Sequence, residues 1–132
     1  MENSGAATIA DAGYRIHQNP TRLEVAQART DTADTGSTTR NPDYLIEGRV
    51  FDCYSPTKSN KPVRGIWDET EDKVSKGQTQ RVVVNLEDWR GDLGALQRQF
   101  DDWPIPGLKE LKVITPQGEI IQINLPEENY RG

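Results

Sequence analysis

This chain lacks cysteine pairs, long apolar runs and an excess of basic charge. Its 132 residues include one cysteine, one histidine and one methionine. The lone cysteine, Cys53, excludes an internal disulfide and a zinc site built from several thiolates. Lying in a predicted strand, it reads as a small buried hydrophobe. No apolar stretch nears the ~20 residues that span a bilayer, and no charged, apolar and small-residue succession marks a signal peptide. A soluble piece with no membrane partner is expected. Lysine and arginine total 16 against 21 aspartates and glutamates, for a formal charge of −5. That balance counts against a protein binding nucleic acid by bulk charge. Any phosphate-binding surface must be local. Lys76 to Phe100 supplies Lys76, Arg81, Arg90 and Arg98, and the acidic remainder could serve a protein partner.

A single domain, residues 1–132, is the natural reading of this length. A hydrophobic fraction of 33% and a mean hydropathy of −0.80 predict a small core with considerable polar loop. Residues 2–12 read as a helix stopped by Gly13, and Tyr14–His17 as a short strand broken by Asn19-Pro20. Residues 18–42 are dominated by small and polar residues and read as a long mobile loop. Val63–Lys76 carries Val63, Ile66, Trp67 and Val74 on one face and reads as an amphipathic helix ended by Gly77. Arg81-Val82-Val83-Val84-Asn85-Leu86 has the continuous apolar pattern of a strand covered on both faces. Leu93–Phe100 is a second amphipathic helix, and 111–115 with 119–125 form a closing hairpin.

The most informative segment is Asp43-Tyr44-Leu45-Ile46-Glu47-Gly48-Arg49-Val50-Phe51-Asp52. With Glu47-Gly48 as the turn, residue 46 pairs with 49, 45 with 50, 44 with 51 and 43 with 52, so both aspartates land opposite each other on one face. Directly opposed side chains in an antiparallel pair sit roughly 4.5–5.5 Å apart at Cβ, and like charges there repel. A cation between them relieves the repulsion: a divalent metal held by oxygen ligands, or a lysine from elsewhere in the chain. Such a cluster suits phosphodiester chemistry, although aspartates at strand ends also cap turns and face water.

The element order, helix, three strands, helix, strand, resembles the αβββαβ core of the PD-(D/E)xK nuclease superfamily: a mixed α/β sheet flanked by helices, here with a C-terminal helix and β-hairpin appended. Pro42-Asp43 and Asp52 fit its acidic positions. The segments Ile16-His17-Gln18-Asn19-Pro20, Asn41-Pro42-Asp43-Tyr44-Leu45-Ile46-Glu47-Gly48, Phe51-Asp52-Cys53-Tyr54-Ser55-Pro56 and Lys76–Leu86 resemble, more closely, the tRNA nuclease domain at the C-terminus of CdiA-type contact-dependent growth inhibition toxins. The chain departs from the superfamily pattern at Tyr54, where the motif has lysine.

The resemblance implies that Lys76, at the end of the helix preceding the central strand, supplies the missing ammonium beside Asp43 and Asp52. It also implies Glu2 as a further acid from the first helix; Tyr54, Gln78, Arg81 and His17 are candidate substrate contacts, with His17 alternatively a general acid or base, Gln78 a polar strand-entry residue and Tyr54 a packing residue. Each has an ordinary alternative: a helix-end cation for Lys76, an acid in a first helical turn for Glu2, a surface histidine for His17. Asp43 and Asp52 would hold Mg²⁺ or another divalent ion if the reaction uses one; attack by a ribose 2′-hydroxyl would need none. The implied activity is cleavage of tRNA by a toxin released from a larger secreted effector, acting in the target cell's cytoplasm and neutralised by a cognate immunity protein. In this reading Met1 marks an excised, monomeric domain. The alternatives are a DNA endonuclease on the same core and a non-enzymatic, acidic, immunity-like binding protein.

Overall fold

The computed structural model describes residues 2–37 and 42–125, with backbone alone for residues 2–4. In chain order the elements are α1 (Glu2–Asp11), β1 (Ile16–Gln18), α2 (Arg22–Thr32), β2 (Tyr44–Ile46), β3 (Arg49–Tyr54), α3 (Val63–Ser75), β4 (Arg81–Asn85), α4 (Leu93–Asp102), β5 (Glu110–Ile114) and β6 (Ile120–Gln122). The strands form one six-stranded sheet in sequence order. β1, β2 and β3 pair antiparallel; β3, β4 and β5 run parallel; β6 returns antiparallel to β5.

Turn chemistry fixes the hairpin. Glu47 and Gly48 both take positive φ, 50° and 76°, as a two-residue turn matched to strand twist requires. The register is Tyr44 opposite Phe51, Leu45 opposite Val50 and Ile46 opposite Arg49, as the alternation predicts. A one-residue slip would send every apolar side chain to the wrong face.

The two faces of the sheet are covered differently. Tyr44, Ile46, Phe51 and Cys53 join Val83 and Ile114 beneath Ala6 and Ile9 of α1. Leu45 and Val50 meet Val25 and Ala28 of α2 on the other face. Further along that face, Val82, Val84 and Leu111 pack against Ile66 of α3 and Leu96 and Phe100 of α4. Strand β4 is buried along its length, which explains its unbroken valines. Burying each such side chain contributes roughly 1.5–3 kcal/mol. Among the described residues, no helix is long and apolar enough to cross a membrane.

One region departs from the sequence reading. Residues 22–32, within the stretch whose polarity predicts a long loop, form helix α2. Thr21 caps it: the Thr21 hydroxyl accepts from the Glu24 amide, and the Glu24 carboxylate accepts from the Thr21 amide. This capping box satisfies two otherwise unpaired helix donors. The remainder of the expected loop includes residues 38–41, which lie outside the described residues. The helix therefore interrupts the expected run of three strands between β1 and β2.

Candidate functional site

Asp52 stands on β3 between Val50 and Tyr54, on the face covered by α2 and α3, and its side chain is fully buried. Every oxygen of its carboxylate is engaged. Oδ1 accepts from the Asp43 amide at 3.1 Å. Oδ2 accepts from the Lys73 ammonium at 2.5 Å and from the Gln78 side-chain amide. Asp43, half-buried just before β2, has its Oδ2 fixed by the Cys53 amide at 2.9 Å. The two aspartates therefore converge, each tied to the other's strand.

The electrostatics of this cluster are unbalanced. Burial lifts the Asp52 carboxyl first, and its hydrogen bond with the Asp43 carboxyl lifts it further; the hydrogen bond and charge of Lys73 oppose both, leaving the pKa at about 7. One ammonium does not neutralise two acids in a pocket from which water is largely excluded. Burial likewise pushes the neighbouring Cys53 thiol up to about 12, so Cys53 remains an inert thiol, as expected of a small buried hydrophobe.

The cation comes from a different lysine than the one expected. Lys76 is the C-cap of α3, and its half-exposed ammonium pairs with Asp72 at 3.0 Å. Lys73 reaches Asp52 instead. The reason is helical periodicity: Ile66 and Thr70 are the buried positions of α3, and a residue three beyond Thr70 and seven beyond Ile66 shares their face. Position 76 lies past the last full turn. The signal was present in the sequence as the spacing 66, 70, 73, but a threonine in the middle of the apolar stripe concealed it.

Gln78 is held from behind as well as in front. Its backbone carbonyl accepts from Arg29 Nη2 at 3.0 Å, while Arg29 Nη1 donates to the Ser37 carbonyl at 2.9 Å. The Ser37 amide in turn donates to the Gly77 carbonyl at 2.6 Å. Helix α2 and the segment after it thus clamp the turn that delivers Gln78 to Asp52. Gly77 occupies positive φ, 72°, at this close approach, where a side chain would be strained.

The remaining expected residues are not gathered here. Arg81 was read as a substrate contact; it is buried in β4 and engages Asp34 at 2.8 Å and Glu110. Asp34 follows α2, 47 residues earlier in sequence, and no local pattern links the two. His17 is exposed on β1 with its ring nitrogen 3.2 Å from Glu24 of α2. Tyr54 packs half-buried against the apolar cluster beneath α3 and α4. Glu2 begins α1, on the face of the sheet opposite Asp52, and its side chain lies outside the described residues. Among the described residues, no group of three histidines, cysteines or carboxylates is arranged to hold a metal.

Fold and cluster together define a mixed α/β domain with a charged site held between a β-hairpin and the helix that follows it. The chain belongs to the contact-dependent growth inhibition CdiA C-terminal domain family, whose model matches residues 40–120. It is 40% identical over 119 residues to the tRNA nuclease CdiA-2 of Burkholderia pseudomallei (strain 1026b), a match covering 90% of this chain and 3% of that protein. The chain therefore spans only a small part of the length of that relative. Among solved structures, it is similar to a CdiA-CT/CdiI toxin and immunity complex from Burkholderia pseudomallei, with a TM-score of 0.74 and 37% identity over 93% of this chain and 81% of that one. The mixed α/β architecture expected from the sequence agrees with this likeness.

Proposed function

We propose that this domain is the nuclease part of a toxin of the CdiA type: an endoribonuclease that cleaves tRNA in target bacteria and is neutralised by a cognate immunity protein. The observation that carries the reading is the buried cluster of Asp43, Asp52, Lys73 and Gln78, in a family with a 40% identical relative named as a tRNA nuclease. The cluster is a variant of the PD-(D/E)xK arrangement in which the lysine sits on the helix after the hairpin instead of two residues beyond the second acid. The domain is carried at the C-terminus of a larger secreted protein and acts in the cytoplasm of the target cell, where tRNA is found.

A divalent ion such as Mg²⁺ would share the Asp52 oxygens with the donors already on them, the Asp43 amide, Lys73 and Gln78. Two carboxylates share one ammonium, and Asp52 is raised to about 7, so a further positive charge is favourable. Mg²⁺ commonly takes one or two protein carboxylates and completes its shell with water and substrate phosphate. Asp43 and Asp52 would hold it, and when bound it would polarise the phosphodiester and supply an activated water.

The chain's own residues do the rest. Asp52, once ionised, anchors Lys73 and Gln78 in fixed orientations. In this reading the Lys73 ammonium would stabilise the negative charge that accumulates on the phosphorane, and a preorganised charge in a dry site stabilises that state far more than one in water. Gln78 donates to the same carboxylate oxygen and keeps it from rotating.

The test uses purified protein with total tRNA and with supercoiled plasmid, alongside Asp52→Ala, Lys73→Ala and Lys76→Ala. Cleavage of tRNA by the parent and Lys76→Ala, and its loss in the other two, is the expected result. Equal cleavage by all four would remove the assigned site, and plasmid cleavage in place of tRNA would move the substrate to DNA.

A further inference from the structure

Among the described residues of this acidic chain, nearly every cation is committed. Each lysine and arginine is ion-paired to a carboxylate or, as with Arg29, hydrogen-bonded to carbonyl oxygens, except Arg22, Lys58, Lys61 and Arg90. Three of those four gather at one place, the connection between β3 and α3. Lys58 and Lys61 line a groove of about 670 Å³ with Arg64. The Arg90 amide donates to the Ser59 carbonyl at 2.8 Å, so the backbone of a third unpaired cation is tied to the same loop, and Arg90 lines the neighbouring pocket with Ser59.

Hydrogen bonds also tie the loop to its neighbours. The Trp89 indole donates to the Lys61 carbonyl at 2.7 Å, the Lys61 amide donates to the Lys58 carbonyl at 3.2 Å, and the Ser55 hydroxyl donates to the Asn85 carbonyl at 3.4 Å. Cations on a fixed loop lose less freedom on binding an anion than cations on a mobile one. The one acid lining the groove, Asp68, is already taken by Arg64 at 3.0 Å. The pocket that Arg90 lines also carries two acids, Asp88, which is exposed, and Glu87, whose carboxylate accepts from the Thr8 hydroxyl at 3.1 Å. Arg64 in turn lies 4.1 Å over the ring of Trp103, a half-exposed aromatic at the edge of the same region.

Helix α3 joins this loop to the acidic cluster. From Val63 to Lys73 the axis advances about 15 Å, at about 1.5 Å per residue. We propose that Lys58, Lys61 and Arg90 form a second contact surface that grips backbone phosphates of an RNA substrate one helix length from the point of cleavage. The proposal rests on the nuclease reading of the Asp52 cluster. A chain that is acidic overall repels RNA at long range, so a local grip of this kind supplies attraction where the substrate must lie.

The test is the full chain carrying Lys58→Gln, Lys61→Gln and Arg90→Gln together. Binding of an unmodified tRNA is measured against salt in an Asp52→Asn background, where no cleavage occurs. The slope of log affinity against log salt should become shallower by about 2 to 3, at roughly 0.7–0.9 for each lost phosphate contact. In the background that retains Asp52, KM for tRNA should rise while kcat stays within about two-fold, and cleavage of a dinucleotide spanning only the scissile bond should not change. An unaltered melting temperature confirms that the variant folds.

A parent that cleaves tRNA while the triple variant keeps the same salt slope and KM would overturn the surface but leave the nuclease reading intact. Unchanged RNA binding with weakened binding of the cognate immunity protein would reassign the loop to protein contact. A parent that neither binds nor cleaves tRNA would end both readings.

Discussion

Two aspartates in this domain are buried beside cations, and they are treated in opposite ways. Asp34, after α2, accepts from Arg81 at 2.8 and 3.1 Å and from Lys109 at 2.8 Å. Burial pushes its carboxyl up, but the hydrogen bonds and charges of Arg81 and Lys109 overcome that, and it lies below the ordinary aspartate range. Arg81 shows the counterpart: burial lowers it, while Asp34 and Glu110 raise it to a net upward shift. Glu110 is also approached by Arg49 and Lys112, so acids in this network have cations to spare. Asp52 has one ammonium for two acids and is raised to about 7. The first cluster is balanced and ties α2 to β4 and β5. The second holds unresolved charge, which is what a site reserved for a ligand retains.

Substitutions in the two clusters should therefore fail in different ways. Asp34→Ala leaves the buried Arg81 guanidinium short of a partner, and breaking a buried pair from one side costs about 3–5 kcal/mol. The melting temperature should fall by roughly 10 °C or more, while cleavage per folded molecule, assayed well below the transition, should match the parent. A large loss of cleavage with an unchanged melting temperature would move Asp34 into the functional cluster.

Lys73→Ala should do the reverse. Loss of one preorganised charge at a developing anion costs roughly 10²–10³ in kcat. Its melting temperature should change little, because removing an ammonium from beside an aspartate with a pKa of about 7 leaves a group that can simply protonate. Lys76→Ala, which loses only an exposed pair with Asp72, should cleave within about two-fold of the parent. Equal loss in both lysine variants would show that the inward face and the end of α3 contribute alike.

The sequence was most legible where local chemistry and burial agree. Gly48 and the alternation around it specify the β2–β3 register, so the meeting of Asp43 and Asp52 could be anticipated before any coordinate. The valines of β4 and the apolar spacing of α3 and α4 were equally plain. Helix α2 was not, because Leu23 is exposed and the buried stripe reduces to Val25, Ala28 and the arginine Arg29. Its one local sign was Thr21 followed three residues later by Glu24. The pairing of Arg81 with Asp34 is not legible in the sequence because the two are distant along the chain, and only the fold brings them together. The lysine was assigned to the end of the right helix but not to its inward face.

A pH series separates the two aspartates without any change in overall structure. Below about 3.8, the ordinary value for aspartate, Asp52 is protonated both folded and unfolded and contributes nothing. As pH rises toward 7 the unfolded chain ionises first, so Asp52 works increasingly against the folded state and levels off above about 7. Asp34 has the opposite sign: its contribution is present above the unfolded value and is lost as pH falls through its lowered folded value. Asp52→Asn should therefore flatten the stability profile between about pH 4 and 7, whereas the deficit of Asp34→Ala should shrink in acid. Cleavage, if it needs ionised Asp52, should rise through about pH 7, and added Mg²⁺ should move that limb to lower pH. A limb indifferent to Mg²⁺ would remove the two aspartates as its ligands.

The smallest effect tests how the clusters communicate through α2. Arg29 holds the backbone of Gln78 at 3.0 Å, and Gln78 holds Asp52, so Arg29 is a positioning residue acting through another side chain. Hydrogen bonds to charged groups contribute about 1.5–3 kcal/mol, so Gln78→Ala should slow cleavage by roughly ten-fold or more, and Arg29→Met by somewhat less. The two losses should not add, because once the Gln78 amide is gone its placement no longer matters. A general loosening of the fold would behave otherwise: the double variant would then lose the product of the two factors, and the pH limb set by Asp52 would stay where it is. Non-additive kinetics with a limb displaced to higher pH in both single variants would tie the helix hidden in the polar stretch directly to the ionisation of the buried acid.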